Sequence, residues 1–168
     1  MISFYCGIQD VMSQNEFEDF QRIQYEKMQQ EMEQQSNDQL SIDLELIDNY
    51  LKENNITAKS AESGLRYVIT KMGSGENAAP GDNVTVHYTG MLLNGEKFDS
   101  SLDRNQPFSF QLGQGMVIRG WDEGITYFNK GSEGTLYIPS TLGYGASGAG
   151  GVIPPNAVLI FEIQVLDY

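Results

Sequence analysis

The spacing of apolar positions divides this chain into two kinds of sequence. Up to about residue 55 the period is helical. In "NEFEDFQRIQYEKMQQEMEQQ" the residues Phe17, Phe20, Ile23, Met28 and Met32 make a loose stripe among good helix formers. In "NDQLSIDLELIDNYLKENN" the stripe is tighter: Leu40, Leu44, Ile47 and Leu51 recur at helical spacing, with Ile42, Leu46 and Tyr50 widening it. The pattern predicts two helices. Asn37 or Asp38 would cap the start of the second, and Asn54-Asn55 would end it, because Asn tolerates the left-handed conformation.

From residue 64 the period becomes two. "LRYVITKM" (65–72), "DNVTVHYTGML" (82–92), "FSFQL" (108–112), "GTLYIP" (134–139) and "AVLIFEIQVLDY" (157–168) read as strands rich in Val, Ile, Tyr, Phe and Thr. Turn residues separate them at "GSGENAAPGD", "LNGEKFD" and "STLGYG". Between the strands, "MVIRGWDEGITYF" returns to helical spacing and puts Val117, Trp121, Ile125 and Phe128 on one face. The fold class that follows is α+β: one short helix covering one face of a mostly antiparallel sheet, preceded by a helical extension.

Composition sharpens the division. Residues 1–60 hold nine glutamines, one glycine and no proline, with 12 acidic against 4 basic residues; residues 61–168 hold the other 17 glycines and all five prolines. The expected organisation is an acidic, Gln-rich helical extension over 1–60 and a second domain over 61–168. The extension has two readings. Its helices pack on the following domain, or they form an arm that makes the protein a homodimer. No repeat of solenoid length is present.

Charge and single residues exclude several functions. A net charge of −13 with no clustered Lys or Arg argues against nucleic acid as a partner. One cysteine, Cys6, rules out an intramolecular disulfide and a Cys-rich metal site, and one histidine, His87, removes the usual zinc spacings, so no metal is expected. No apolar run reaches 18 residues, so no membrane span is expected. "MISFYCGIQD" is not a complete signal peptide, which places the chain in the cytoplasm as written. If the chain were cut from a longer exported precursor, the cell envelope or periplasm would follow and Cys6 could carry a lipid; the alternative is an ordinary thiol in a frayed terminus.

Apparent chemical motifs fail one by one. "GSGENA" resembles a dinucleotide turn, but "APGD" follows it where a helix is required, so a turn is expected there. "GYGASGAGG" lacks the Gly-Lys-Ser/Thr ending of a phosphate loop. His87 lies mid-strand with no G-x-S-x-G elbow to serve. Asp122 and Glu123 are neighbours on a helix and point in different directions, so they favour its first turn instead of forming an acid-base pair. What recurs is aromatic. Phe110 is assigned to the core, on the argument that alternation turns it away from Phe108.

"VTVHYTGMLLNGEKFDSSLDRNQPFSFQLGQGMVIRGWDEGI" followed by "GYGASGAGGVIPPNAVLIFEIQVLDY" closely resembles the FKBP-type peptidyl-prolyl cis-trans isomerases over about residues 64–168. The motifs "VHYTG", "FDSS", "PF", "VIRGW", "YG" and "IPP" stand in the family's order. The resemblance implies an enzyme acting on X-Pro bonds of folding polypeptides, without cofactor, in a family that binds macrolide immunosuppressants and whose exported bacterial members often carry dimerising helical extensions. It implies a pocket with Trp121 as floor and with Tyr88, Phe98, Asp99, Tyr144 and Phe161 as its catalytic set. Phe108, Val117, Ile118, Val152, Ile153 and Arg104 would complete substrate binding. Within this set the Ile118 backbone N–H and the Tyr144 hydroxyl would bond ligand carbonyls, and Asp99 would orient Tyr88 or pair with Arg104. Two departures stand out: Ala149 occupies a loop position where many members have histidine, and Val152 one where they have isoleucine. The competing reading is a chaperone or interaction module that holds Pro-containing segments in the same pocket without turnover.

An isomerase of this kind needs no nucleophile. The X-Pro bond resists rotation because resonance gives it double-bond character, with a barrier of about 18–20 kcal/mol, and uncatalysed exchange takes tens to hundreds of seconds. A twisted amide has lost that resonance and some charge separation, so an apolar pocket shaped for it lowers the barrier.

Overall fold

A computed structural model of the chain describes residues 13–168, so Cys6 lies outside the described residues. The chain divides into two compact units, one running to Asp38 and the other comprising Gln39–Tyr168. The compositional boundary near residue 60 therefore falls within the second unit.

Helix α1 (Gln14–Glu53) is one element where the sequence predicts two. Asn37 and Asp38 lie inside it. Asp38 accepts a hydrogen bond from Gln34 Nε2 (2.8 Å), a within-helix pairing that leaves no break for a cap. The real start is a capping box: Ser13 N–H donates to Glu16 Oε2 (2.8 Å) and Glu16 N–H to Ser13 Oγ (3.3 Å). The end is as expected, with Asn55 at φ 56° and the Ile56 N–H returning to the Leu51 carbonyl (2.8 Å). In the part of α1 that belongs to the first unit, Phe17, Phe20, Ile23, Met28 and Met32 are all exposed.

In the second unit nine strands follow: β1 (Lys59–Ser60), β2 (Arg66–Lys71), β3 (Ser74–Asn77), β4 (Asn83–Leu92), β5 (Lys97–Ser100), β6 (Phe108–Gln111), β7 (Asn129–Lys130), β8 (Glu133–Ile138) and β9 (Leu159–Asp167). The main sheet runs β1-β2-β8-β9-β4-β5, with β6 also paired to β4, and every pairing is antiparallel. β3 and β7 form a separate ribbon. "GSGENA" is thus largely strand, where a turn was expected. A short helix, α2 (Arg119–Gly124), continues as a 3-10 turn to Tyr127 and covers one face.

Strand alternation builds two cores. On β4 the buried positions are Val84, Val86, Tyr88, Gly90 and Leu92, while their neighbours face the other way. The inner face joins Val86, Phe110, Leu136, Ile138, Leu159 and Phe161 to Trp121, Ile125 and Phe128 from α2 and its extension. The outer face presents Tyr137 of β8, Ile160 of β9 and Val158 just before β9, which pack with Ile47 and Leu51 of α1. The last turns of α1 are therefore sheet-packed, although Ile42 and Leu46, read as part of its apolar stripe, remain exposed. Phe108 and Phe110 share a face, contrary to the sequence argument, because residues two apart in a strand point the same way; their rings stack 5.6 Å apart. Phe110 is nonetheless core.

Candidate active site

A cavity of about 180 Å³ opens on the inner face, lined by Tyr88, Phe98, Asp99, Phe108, Met116, Val117, Ile118, Trp121, Tyr144 and Phe161. Its walls come from β4, β5, β6 and β9 and its floor from α2. Trp121 is 4% exposed, and its ring lies 4.9 Å from Tyr88, 5.1 Å from Phe161 and 6.1 Å from Phe108, edge-on in each case. The Trp121 Nε1–H is buried with no hydrogen-bond acceptor among the described residues. A small open cavity lined chiefly by aromatic and aliphatic side chains, with a few convergent polar groups, can take one ring and its adjoining amide.

One glycine makes this wall possible. Gly90 pairs with Phe161 on one side and Asp99 on the other. A Cβ there would stand 2.7 Å from the Phe98 ring and 2.8 Å from the Phe161 ring. The glycine of "VHYTG" is thus the gap into which those two rings close, in edge-to-face contact with centroids 5.6 Å apart.

The polar edge is a three-residue network. The Tyr88 hydroxyl donates to Asp99 Oδ2 (2.5 Å), Arg104 Nη2 donates to the Tyr88 oxygen (2.8 Å), and Arg104 Nη1 bonds and ion-pairs with Asp99 Oδ1. Burial pushes the Tyr88 hydroxyl above its ordinary pKa, and its bond to Asp99 adds to this. For Asp99 burial pushes upward too, but the hydrogen bonds from Tyr88 and Arg104 and the Arg104 charge outweigh it and hold the carboxyl below its usual range. Tyr88 therefore stays protonated and Asp99 ionised at neutral pH, so the phenol is fixed in place and does not titrate. Arg104 reaches the site through these partners and is not part of the cavity lining.

Two loops complete the lining. The segment before α2 carries Met116, Val117 and Ile118, and Asp122 anchors it by accepting hydrogen bonds from the Gly113 N–H (2.9 Å) and Gly115 N–H (3.1 Å). Asp122 works through its side chain on that loop, beyond the electrostatic role expected of it. Glu123 accepts from Ser63 Oγ (2.8 Å) instead. Among the described residues no acceptor meets the Ile118 N–H. Met116, which the sequence reading did not select, stands at the rim and is 62% exposed.

The glycine-rich loop delivers Tyr144, which is 42% exposed. Beyond it the chain makes a small hairpin in which Ala149 and Ile153 exchange both backbone hydrogen bonds (3.0 Å each). Gly148, at φ 61°, lies so close to the Ile153 carbonyl that no side chain would fit. Ile153 is buried in the core and Val152 points outward, 55% exposed; neither lines the cavity. Ala149 is a half-buried rung of the hairpin.

A second cavity, of about 280 Å³, lies on the outer face of the sheet and is lined by Thr70, His87, Thr89, Leu102, Glu133, Thr135, Glu162 and Gln164 among others. His87 Nδ1 is 2.9 Å from Ser101 Oγ, which also accepts the Tyr88 N–H (2.8 Å). His87 is thus a strand residue away from the aromatic site. Among the described residues no group of His, Cys, Asp and Glu could hold a metal ion, and no helix is long and apolar enough to cross a membrane.

Comparison with known proteins gives one consistent result. The family described as FKBP-type peptidyl-prolyl cis-trans isomerase matches residues 74–166. A Neisseria meningitidis serogroup B FK506-binding protein is 60% identical over 94 residues, which are 56% of this chain and 86% of that protein. The FKBP-type peptidyl-prolyl cis-trans isomerase FkpA of Aeromonas hydrophila is 51% identical over 108 residues, covering 64% of this chain and 39% of that protein. The crystal structure of FkpA from Escherichia coli matches 98% of this chain and 80% of its own length with a TM-score of 0.67 and 34% identity.

Proposed function

The chain belongs to the FKBP-type peptidyl-prolyl cis-trans isomerases, and from that membership we propose that the cavity floored by Trp121 is where X-Pro bonds are turned. The protein is an enzyme that accelerates cis-trans rotation about X-Pro peptide bonds. Its family binds Pro-containing substrates and macrolides, and the reading of a binding module without turnover is not favoured beside these relatives.

The prolyl ring enters over the Trp121 indole, between Tyr88, Phe108 and Phe161, with Phe98 and Val117 closing the sides. The observation that carries this placement is the enclosure of one small cavity by five aromatic rings around a buried indole. Desolvation there weakens the charge-separated planar amide relative to the twisted one, and shape selects the twisted form further. The free Ile118 N–H and the exposed Tyr144 hydroxyl are donors for substrate carbonyls on either side of the bond. Asp99 and Arg104 hold Tyr88 still. Val152 and Ile153 act through the hairpin, Ile153 by anchoring it and Val152 by presenting an apolar contact to flanking residues. Lowering the barrier by about 5.5 kcal/mol would give roughly four orders of magnitude in rate.

The test is a protease-free cis-trans exchange measurement on a short X-Pro peptide. Wild type should exceed the uncatalysed rate at catalytic concentration, and Trp121→Ala or Phe161→Ala, verified as folded, should lose most of the acceleration. Full activity in both folded variants would remove the cavity from the mechanism. Residues 1–60 are proposed as a dimerising extension, supported by the exposed apolar stripe from Phe17 to Met32.

A further inference from the structure

Asp43 is the one fully buried carboxylate among the described residues, at 0% exposure. It lies on α1, within the unit that contains the cavity. No Lys or Arg ion-pairs with it among the described residues. Its compensation is hydrogen bonding alone: Oδ2 accepts both the Ser140 N–H (2.8 Å) and the Ser140 hydroxyl (2.5 Å), and Oδ1 accepts Gln39 Nε2 (2.8 Å). A buried carboxyl group is costly unless its hydrogen-bond partners stay in place, so these bonds tie Ser140 to Asp43.

What it fixes is the start of the segment that carries Tyr144. Ser140, itself fully buried, opens the 3-10 turn Ser140–Leu142 that leaves β8. Pro139, before it, supplies no N–H, and the turn closes through Leu142 N–H to the Pro139 carbonyl (2.9 Å) and Gly143 N–H to the Ser140 carbonyl (3.0 Å). Leu142 is buried in the inner core, and Tyr144 follows two residues later with its side chain in the cavity lining. Asp43 thus caps, from a different element, the turn that aims Tyr144.

We propose that Asp43 is a positioning residue for the isomerase reaction: through Ser140 it sets the Tyr144 hydroxyl in the cavity, which makes the last turns of α1 part of the catalytic apparatus. This rests on the reading of Tyr144 as a hydrogen-bond donor to substrate. It assigns a function to α1 that needs no second subunit.

A double-mutant cycle on the full chain tests it, with kcat/KM for a short X-Pro peptide and Tm measured for wild type, Asp43→Asn, Tyr144→Phe and the pair. Asp43→Asn keeps volume but leaves one neutral acceptor and one donor where there were two acceptors, so the bonds from Ser140 and Gln39 are weakened or must rearrange. Each single variant is expected to lose about three- to tenfold in kcat/KM, and the pair no more than the worse single. Losses that multiply in the pair would mean that Asp43 acts independently of Tyr144, and that outcome overturns the proposal. So does a folded Asp43→Asn with wild-type kcat/KM. If Asp43→Asn does not fold, Ser140→Ala, which removes only one of the bonds, replaces it in the same cycle. Wild-type kinetics in Tyr144→Phe alone would instead overturn the reading of Tyr144, and the proposal with it.

Discussion

Gly90→Ala puts the construction of the site to a sharp test. The added methyl would lie 2.7 Å from Phe98 Cε2 and Cζ and 2.8 Å from Phe161 Cε1, against ordinary carbon contacts of about 3.5–4.0 Å. The rings must therefore retreat by roughly 0.8 Å or more. Phe98 is half-buried and has room to move; Phe161, at 4% exposure, does not. Overpacking of this kind costs about 1–3 kcal/mol, and replacing a strand glycine by alanine returns about 0.5–1 kcal/mol of that. A net loss of about 1 kcal/mol corresponds to a fall in Tm of about 2–4 °C for a chain of this size. The kinetic effect should be larger than the stability effect, because a displacement near 1 Å at a reacting site can cost up to about a hundredfold. We expect kcat/KM for an X-Pro peptide to fall at least about tenfold by exchange spectroscopy while calorimetry shows the modest Tm change. Unchanged kcat/KM with the fall in Tm would mean that the Phe98–Phe161 wall is packing and not catalytic surface, and the reasoning would fail.

Further expectations concern the groups around the cavity. Asp99 is held below the usual carboxylate range by Tyr88 and Arg104 against the upward push of burial, so its stabilisation is complete above its unfolded pKa of about 3.9 and is lost as pH falls through the lower folded value; activity should hold down to about pH 4 in wild type, and Asp99→Asn should lose this acid dependence. Asp122→Ala frees the Gly113 and Gly115 amides and should raise KM several-fold, about threefold or more, with little change in kcat, as the Ile118 loop loosens. Removal of residues 1–38 should convert a dimer to a monomer in light scattering, with isomerisation of short peptides retained; an intact protein that is monomeric at high concentration would dismiss the dimerising arm.

The sheet was legible because period-two patterning survives where one face is buried and the other is not. β4 is the clearest case, alternating buried and outward positions along its whole length. β3, β7 and β1 left no such trace: Ser74–Asn77 is exposed throughout, Asn129–Lys130 and Lys59–Ser60 are two residues each, and backbone pairing alone defines them. The division of α1 into two helices came from the cap-type residues Asn37 and Asp38, and Asp38 serves within the helix because Gln34, four residues away, binds it. The capping box of Ser13 and Glu16 was readable as S-x-x-E. Most of the aromatic lining followed from family motifs, whereas Met116 carried no signal beyond standing before "VIRGW". Asp43 was invisible for a physical reason: on a polar, acidic helix a carboxylate reads as solvent-facing, and only the tertiary approach of Ser140 shows it buried.

The central claim is that the bond turns inside the Trp121 cavity. Its most direct test is one titration by nuclear magnetic resonance, in which a short X-Pro peptide is added to the protein and three quantities are read together. These are the cis-trans exchange rate of the peptide, the Trp121 indole N–H resonance and the Ile118 amide resonance. The account predicts that both protein resonances move with a single midpoint as exchange accelerates, because the unpartnered indole N–H and the free Ile118 N–H both belong to the residues lining the occupied cavity. Accelerated exchange with both resonances unmoved would contradict it.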